Sequence, residues 1–225
     1  MENVYIGLVG SLLILDTTVA FQFLISQPLI ACTLLGWFLG DANLGLQIGI
    51  YLQLLWLSSI PVGAAIIPEG NIAAIIVTGL VVRYHQVYDY FNTLLIFGLL
   101  FGILISYIGG ELVVLSRKSN RYFLNKIVDY TRNGNLATLT VINYLALIFH
   151  FLLMFVLIYM AMIIGDILFK QVIRLPAEWN GYFKYAVFAL IGIGSGLTLS
   201  IFREKKLRIF IIAGLVAGSL FFILK

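Results

Sequence analysis

The stretch that decides the fold runs from Ser26 to Ile76: SQPLIACTLLGWFLGDANLGLQIGIYLQLLWLSSIPVGAAIIPEGNIAAII. A helix needs about 20 mostly apolar residues to cross a bilayer, and the runs here are shorter than that. Leu29–Leu39 closes on the turn-like Gly40-Asp41-Ala42-Asn43, and Leu44–Ile60 is stopped by Pro61. Proline can open a helix but cannot continue one, so Pro28, Pro61 and Pro68 punctuate the stretch. Gln27, Asp41, Gln47, Gln53, Glu69 and Asn71 are set among these runs, with Gln22 just upstream. Broken helices expose backbone groups that lipid cannot satisfy, so they are tolerated only inside protein or beside a watery cavity. The stretch therefore reads as short or re-entrant membrane helices around a polar site.

Outward from it, the chain keeps the same solvent. Of the 225 residues, 62% are hydrophobic and 11% charged, against about 25% charged in a soluble domain. Val4–Phe23 is a first apolar segment, carrying Asp16, Thr17, Thr18 and Gln22. Its start, MENVYIGLVGSLLIL, lacks the basic region of a cleaved signal peptide, so the segment is expected to be retained. Ile72–Val82, Phe91–Ser116, Leu139–Ile164, Tyr185–Phe202 and Ile209–Leu224 complete the apolar runs. The expected fold class is all-α: a polytopic helical membrane protein with broken or re-entrant helices in its N-terminal half. Residues 1–225 read as one integral membrane domain, with 1–82 the broken-helix region and 91–225 the conventional spanning helices.

Charge sets the expected orientation. No lysine or arginine occurs from Met1 to Val82, whereas Glu2, Asp16, Asp41 and Glu69 do. The net charge of +4 is carried instead by short basic stretches, chiefly residues 117–132 and Arg203–Arg208. Basic loops stay in the cytoplasm, which puts residues 117–132 there as a basic loop and residues 83–90 and 165–184 outside. Tyr122, Phe123, Ile127 and Tyr130 also allow that loop a short amphipathic helix in the headgroup region. Basic residues placed to orient helices argue against a nucleic-acid partner.

Catalytic signatures are missing. There is no GxxxxGK[ST], no HExxH and no GxSxG, so no cofactor, metal site or catalytic residue is expected on this chain. The single cysteine, Cys32, reads as a small packing residue. His150, within LALIFHFLLMFVL, reads as an imidazole hydrogen-bonded between helices, with proton or ligand handling as the alternative. Asp41 either caps the helix that begins near Leu44 or meets a ligand, and Glu69 has the same two readings. A sugar suits the polar set, because carboxylates and amides bind adjacent hydroxyls while Trp37 or Trp56 covers the ring face. The candidate sugar-binding residues are Gln22, Gln27, Asp41, Gln53, Glu69 and Asn71.

The segments QPLIA, LGD followed by GLQIG, LQLLWL and PVGAAIIPE together resemble the IIC component of the mannose/fructose/sorbose family of bacterial phosphotransferase-system sugar permeases. The resemblance implies an inner-membrane permease subunit that translocates a hexose-type sugar with a IID membrane subunit, assembled as an oligomer. It implies IIA and IIB phosphocarrier partners, with phosphoenolpyruvate the phosphate source and the phosphoryl-carrying histidine on IIB. Gln53 and Glu69 depart from the acid and the aspartate common at those positions, so the choice of sugar does not transfer. Two other readings of the residues are a non-transporting membrane scaffold, with the polar groups as helix glue, and an ion-coupled secondary transporter using Asp16, Asp41 or Glu69.

Overall fold

The computed structural model describes residues 2–20, 22–57, 68–131, 136–201, 209 and 212, with the side chains of 18, 122–131, 136–139 and 201 excepted. These residues form seven helices: α1 Glu2–Thr18, α2 Pro28–Phe38, α3 Ala42–Trp56, α4 Gly70–His85, α5 Phe91–Thr131, α6 Leu136–Val172 and α7 Glu178–Ile201. Among the described residues, three stretches are long and apolar enough to cross a membrane: Phe91–Arg121, Thr140–Val172 and Glu178–Ser200. The chain is an all-α, multi-pass protein, and its first four helices are the short ones. The expected basic loop at Arg203–Arg208, Pro61 and most of the Ile209–Leu224 span lie outside the described residues.

At 1.5 Å per residue, α2 is about 16 Å long and α4 about 24 Å, short of the roughly 30 Å hydrocarbon layer. Helix α4 is the centre of the core. Every residue from Gly70 to Val82 is buried, with α1, α2, α3, α5 and α6 around it. A helix apolar on all sides belongs inside a bundle, and the small residues Ala73, Ala74 and Gly79 let neighbours come close.

Helices α2 and α3 form a tight antiparallel hairpin. Gly40 makes its turn at φ +94°, a left-handed value that suits glycine. Asp41 begins α3 by accepting a 2.8 Å hydrogen bond from the Leu44 N–H, so it does cap this helix. Below the turn the backbones touch: a Cβ on Gly36 would lie 2.8 Å from the Gly45 Cα. Cys32 is fully buried there and its thiol reaches the Ala74 carbonyl, as a packing residue should.

Several boundaries differ from those read off the chain; α6 runs on to Val172, past Ile164, and α7 begins at Glu178, before Tyr185. The first segment stops being helical at Thr18, before Phe23, because the polypeptide turns through positive φ at Gln22 (55°) and Leu24 (65°). The basic stretch after Ser116 is no loop. It continues α5 to Thr131, so that α5 has 41 residues and extends about 60 Å. Arginine and lysine are good helix formers, and nothing in RKSNRYFLNKIVDYT breaks a helix. His85 is likewise in the last turn of α4 rather than in a loop, with Nε2 4.0 Å from Asp89.

Candidate functional site

The ends of the short helices meet in one place. Asp16 near the end of α1 is buried, and its carboxylate accepts from the Phe23 N–H (2.6 Å) and the Ser26 N–H (3.1 Å). Those two bonds hold residues 22–27 against the α1 terminus and deliver the chain to Pro28. The Asn71 amide, in the first turn of α4, donates to Thr17 Oγ1 (3.2 Å) and Ser26 Oγ (3.4 Å). Between the two strands of the hairpin, Gln53 Nε2 donates to Gln27 Oε1 at 3.1 Å, while Gln53 Oε1 accepts from the Leu29 N–H at 3.2 Å. Trp56 closes this end by packing its indole over Gly70, where no Cβ could fit.

Helix α5 gives the depth of the cluster. The Glu69 N–H, just before α4, donates to the Ser106 carbonyl at 2.9 Å. Ser106 is fifteen residues from either end of the span Phe91–Arg121, which puts the cluster at mid-depth of that span. The Glu69 side chain lies over Gly109, and among the described residues no hydrogen bond holds its carboxylate. Arg117 is near enough for its charge to act on it. A half-free acid, paired amides and unwound backbone thus coincide at mid-depth, where lipid could satisfy none of them.

Four of the six candidate residues gather here: Gln27, Gln53, Glu69 and Asn71. Gln22 is on the adjacent turn with its side chain exposed. Asp41 is elsewhere, at the hairpin tip, about 18 Å from Gln53 along α3. The tip is fixed at the other end of α4, where the Gln86 amide donates to the Leu39 carbonyl at 2.8 Å. Trp37, largely exposed, leans on Phe38 at that same tip, so of the two tryptophans only Trp56 borders the cluster. Ser26, Thr17 and Ser106 were not anticipated. Asp16 was, as either structural or site-forming, and its bonds make it the brace of the break.

His150 behaves as an interhelical imidazole: it is buried on α6, with Nδ1 2.9 Å from Ser116 Oγ on α5.

Short helices that break on polar side chains beside longer spans form an architecture that membrane transporters use. Residues 1–223 match the family described as the PTS system sorbose-specific IIC component, and the chain belongs to that family. It is 34% identical over 123 residues to the mannose-specific EIIC component of Escherichia coli K12, and 29% identical over 123 residues to the fructose permease IIC component of Bacillus subtilis. Each alignment covers 55% of this chain and 43% of the relative, so the match spans less than half the length of each of these two relatives. The sorbose-specific EIIC component of Lacticaseibacillus casei is 26% identical over 200 residues, 88% of this chain and 70% of that one. Two solved structures share the fold, each at 24% identity over 97% of this chain and 86% of theirs. One is described as a membrane protein (TM-score 0.75), the other as the mannose transporter ManYZ with microcin E492 (TM-score 0.62). The protein is a multi-pass constituent of the bacterial inner membrane.

Proposed function

We propose that this chain is the IIC permease subunit of a phosphoenolpyruvate-dependent phosphotransferase system that binds a hexose-type sugar and carries it inward with a IID subunit. Phosphorylation by IIB, itself charged through IIA, then drives the cycle. The observation that carries this reading is the Gln27–Gln53 amide pair held beside Glu69 and Asn71 at mid-depth. Amides and an unbonded carboxylate offer donors and acceptors to neighbouring hydroxyls, and Trp56 supplies an apolar ring face. Residues 1–82 form the sugar-handling part of the single domain and residues 91–225 its spanning frame, with the basic end of α5 in the cytoplasm. Asp41 serves α3 rather than the sugar.

The test is uptake of radiolabelled hexose by cells carrying this chain with its IID, IIA and IIB partners. Glu69→Ala and Asn71→Ala should each cut phosphorylation-linked uptake at least about tenfold at normal membrane insertion, as a lost ligand hydrogen bond is worth about 1–3 kcal/mol. Normal uptake in both variants would reject the site. Uptake that stops when the ion gradient is collapsed, with phosphoenolpyruvate still present, would reject the phosphotransferase role.

A further inference from the structure

A second polar cavity, of about 580 Å³, opens between α5 and α6 beside the residues that follow α1. None of the sugar-site residues lines it. Arg117 and Asn120 contribute from α5, and Thr140, Asn143, Tyr144 and His150 from α6. Its electrostatics are one-sided: a guanidinium and two amides face it, and no carboxylate does among the described residues. Glu69, on which the Arg117 charge acts, is not in the lining. Lys118 and Arg121 follow on the same helix, so this is the basic end of the span, at the level of the cytoplasmic headgroups.

Two atoms in the lining residues are buried and unsatisfied. His150 is 1% exposed, and while its Nδ1 meets Ser116, its Nε2 has no partner. Asn120 Oδ1 is also without one. A buried polar atom left unpaired is costly, so a ligand that supplies the missing bonds is stabilised by doing so. Asn120 Oδ1 can only accept, which asks for a hydroxyl donor; imidazole Nε2 takes either role according to tautomer. Arg117 asks for an anion, and the planar guanidinium fits phosphate oxygens.

From these demands together we infer that the cavity is a binding site for a phosphorylated polyol, with the phosphate on Arg117 and the Asn143 amide N–H and hydroxyls on Asn120 Oδ1 and His150 Nε2. Two sources carry that chemistry at a cytoplasmic membrane surface: a soluble sugar phosphate and the phosphoglycerol headgroup of a lipid. The site is independent of the mid-depth cluster and does not require that sugar pass through it.

The experiment uses the full chain reconstituted in phosphatidylcholine nanodiscs. Binding of mannose 6-phosphate, unphosphorylated mannose, dihexanoyl-phosphatidylglycerol and dihexanoyl-phosphatidylcholine is measured by titration calorimetry. Saturable binding of either phosphorylated polyol is expected, weakened at least tenfold by Arg117→Gln and by Asn143→Leu and largely retained by Arg117→Lys. Whichever arm saturates names the source. Helical circular dichroism and monodisperse elution check each variant, and Asn143 is exposed, so its replacement spares the core if Arg117→Gln fails to fold. Absence of saturable binding in both phosphorylated arms would overturn the site, as would wild-type affinity in every correctly folded variant. Sugar uptake is not part of the readout, so failure of the transport reading leaves the result intact.

Discussion

Arg83 and Asp166 are joined through one guanidinium nitrogen: Nη1 lies 2.8 Å from Oδ1 and 3.0 Å from Oδ2, with both side chains about one-fifth exposed. The contact ties the end of α4 to the end of α6. Asp166 also accepts from the Asn3 amide at 2.8 Å, and its carbonyl from the Tyr84 hydroxyl at 3.1 Å, so α1 joins the same clasp. Glu2 adds less. Its carboxylate is 70% exposed and, though 3.1 Å from Arg83 Nε, is not aligned for a hydrogen bond. Removing one partner of a mostly buried pair strands the other charge, whereas exposed pairs are worth about 0–1 kcal/mol. Asp166→Ala should therefore destabilise the protein by about 2 kcal/mol, and Glu2→Gln by less than about 0.5 kcal/mol. Thermal unfolding in detergent measures both, and equal losses would contradict this ranking.

The hairpin of α2 and α3 was legible because its stops are local: Pro28 opens α2 and Gly40-Asp41 turns it, within the boundaries the residues suggest. The end of α1 was not, since Asp16 finds its partners seven and ten residues on, at Phe23 and Ser26, and no short-range signal announces that return. Residues 117–131 allowed a short amphipathic helix, but their continuity with α5 was not legible, for another reason. Charge density there marks the membrane surface but does not decide between loop and helix. The polar residues of the site stood out as expensive in an apolar sequence, while their grouping depended on contacts such as Asn71 with Thr17, 54 positions apart. Asp41 and Gln22 passed the same polarity test and lie apart from the group.

Close backbone approach makes the hairpin sensitive to a single methyl group. A Cβ on Gly36 would meet the Asp41 carbonyl at 2.6 Å, and one on Gly49 the Pro28 carbonyl at 2.7 Å. Backbone cannot swing aside as a side chain does, so overpacking of this kind costs about 1–3 kcal/mol. Gly36→Ala and Gly49→Ala should each lower stability by that amount. Gly181→Ala in α7, with nothing within 4 Å of its Cβ, should be neutral or slightly stabilising. Thermal melts of the three variants separate the cases, and a neutral Gly36→Ala would mean that the hairpin opens at that level.

Asp41 offers a clean separation of structural from ligand roles. Its recorded hydrogen bond is the cap to Leu44, and asparagine caps as well as aspartate does. Asp41→Asn should leave melting temperature and sugar uptake unchanged, and Asp41→Ala should cost about 1 kcal/mol of stability with uptake retained in proportion to folded protein. A loss of uptake in correctly folded Asp41→Asn would return this residue to the sugar site.

Gln53 carries both demands at once, because its carbonyl oxygen holds the Leu29 N–H and its amino group holds Gln27. Gln53→Leu removes both partners, leaving a helix-start N–H and an amide oxygen unsatisfied. Each unsatisfied group costs about 1–3 kcal/mol, so the hairpin should loosen and hexose uptake fall at least about tenfold. Gln53→Glu differs in kind. The carboxylate keeps the acceptor for Leu29, and Gln27 can rotate its amide to donate where it previously accepted, which restores the pair with reversed polarity. Uptake by Gln53→Glu should therefore exceed that by Gln53→Leu, and adding Gln27→Leu to Gln53→Glu should abolish the advantage by stranding the new charge. Rates for these variants, each normalised to inserted protein, measure the coupling directly; identical losses in Gln53→Glu and Gln53→Leu would show that the amide pair does not hold the site.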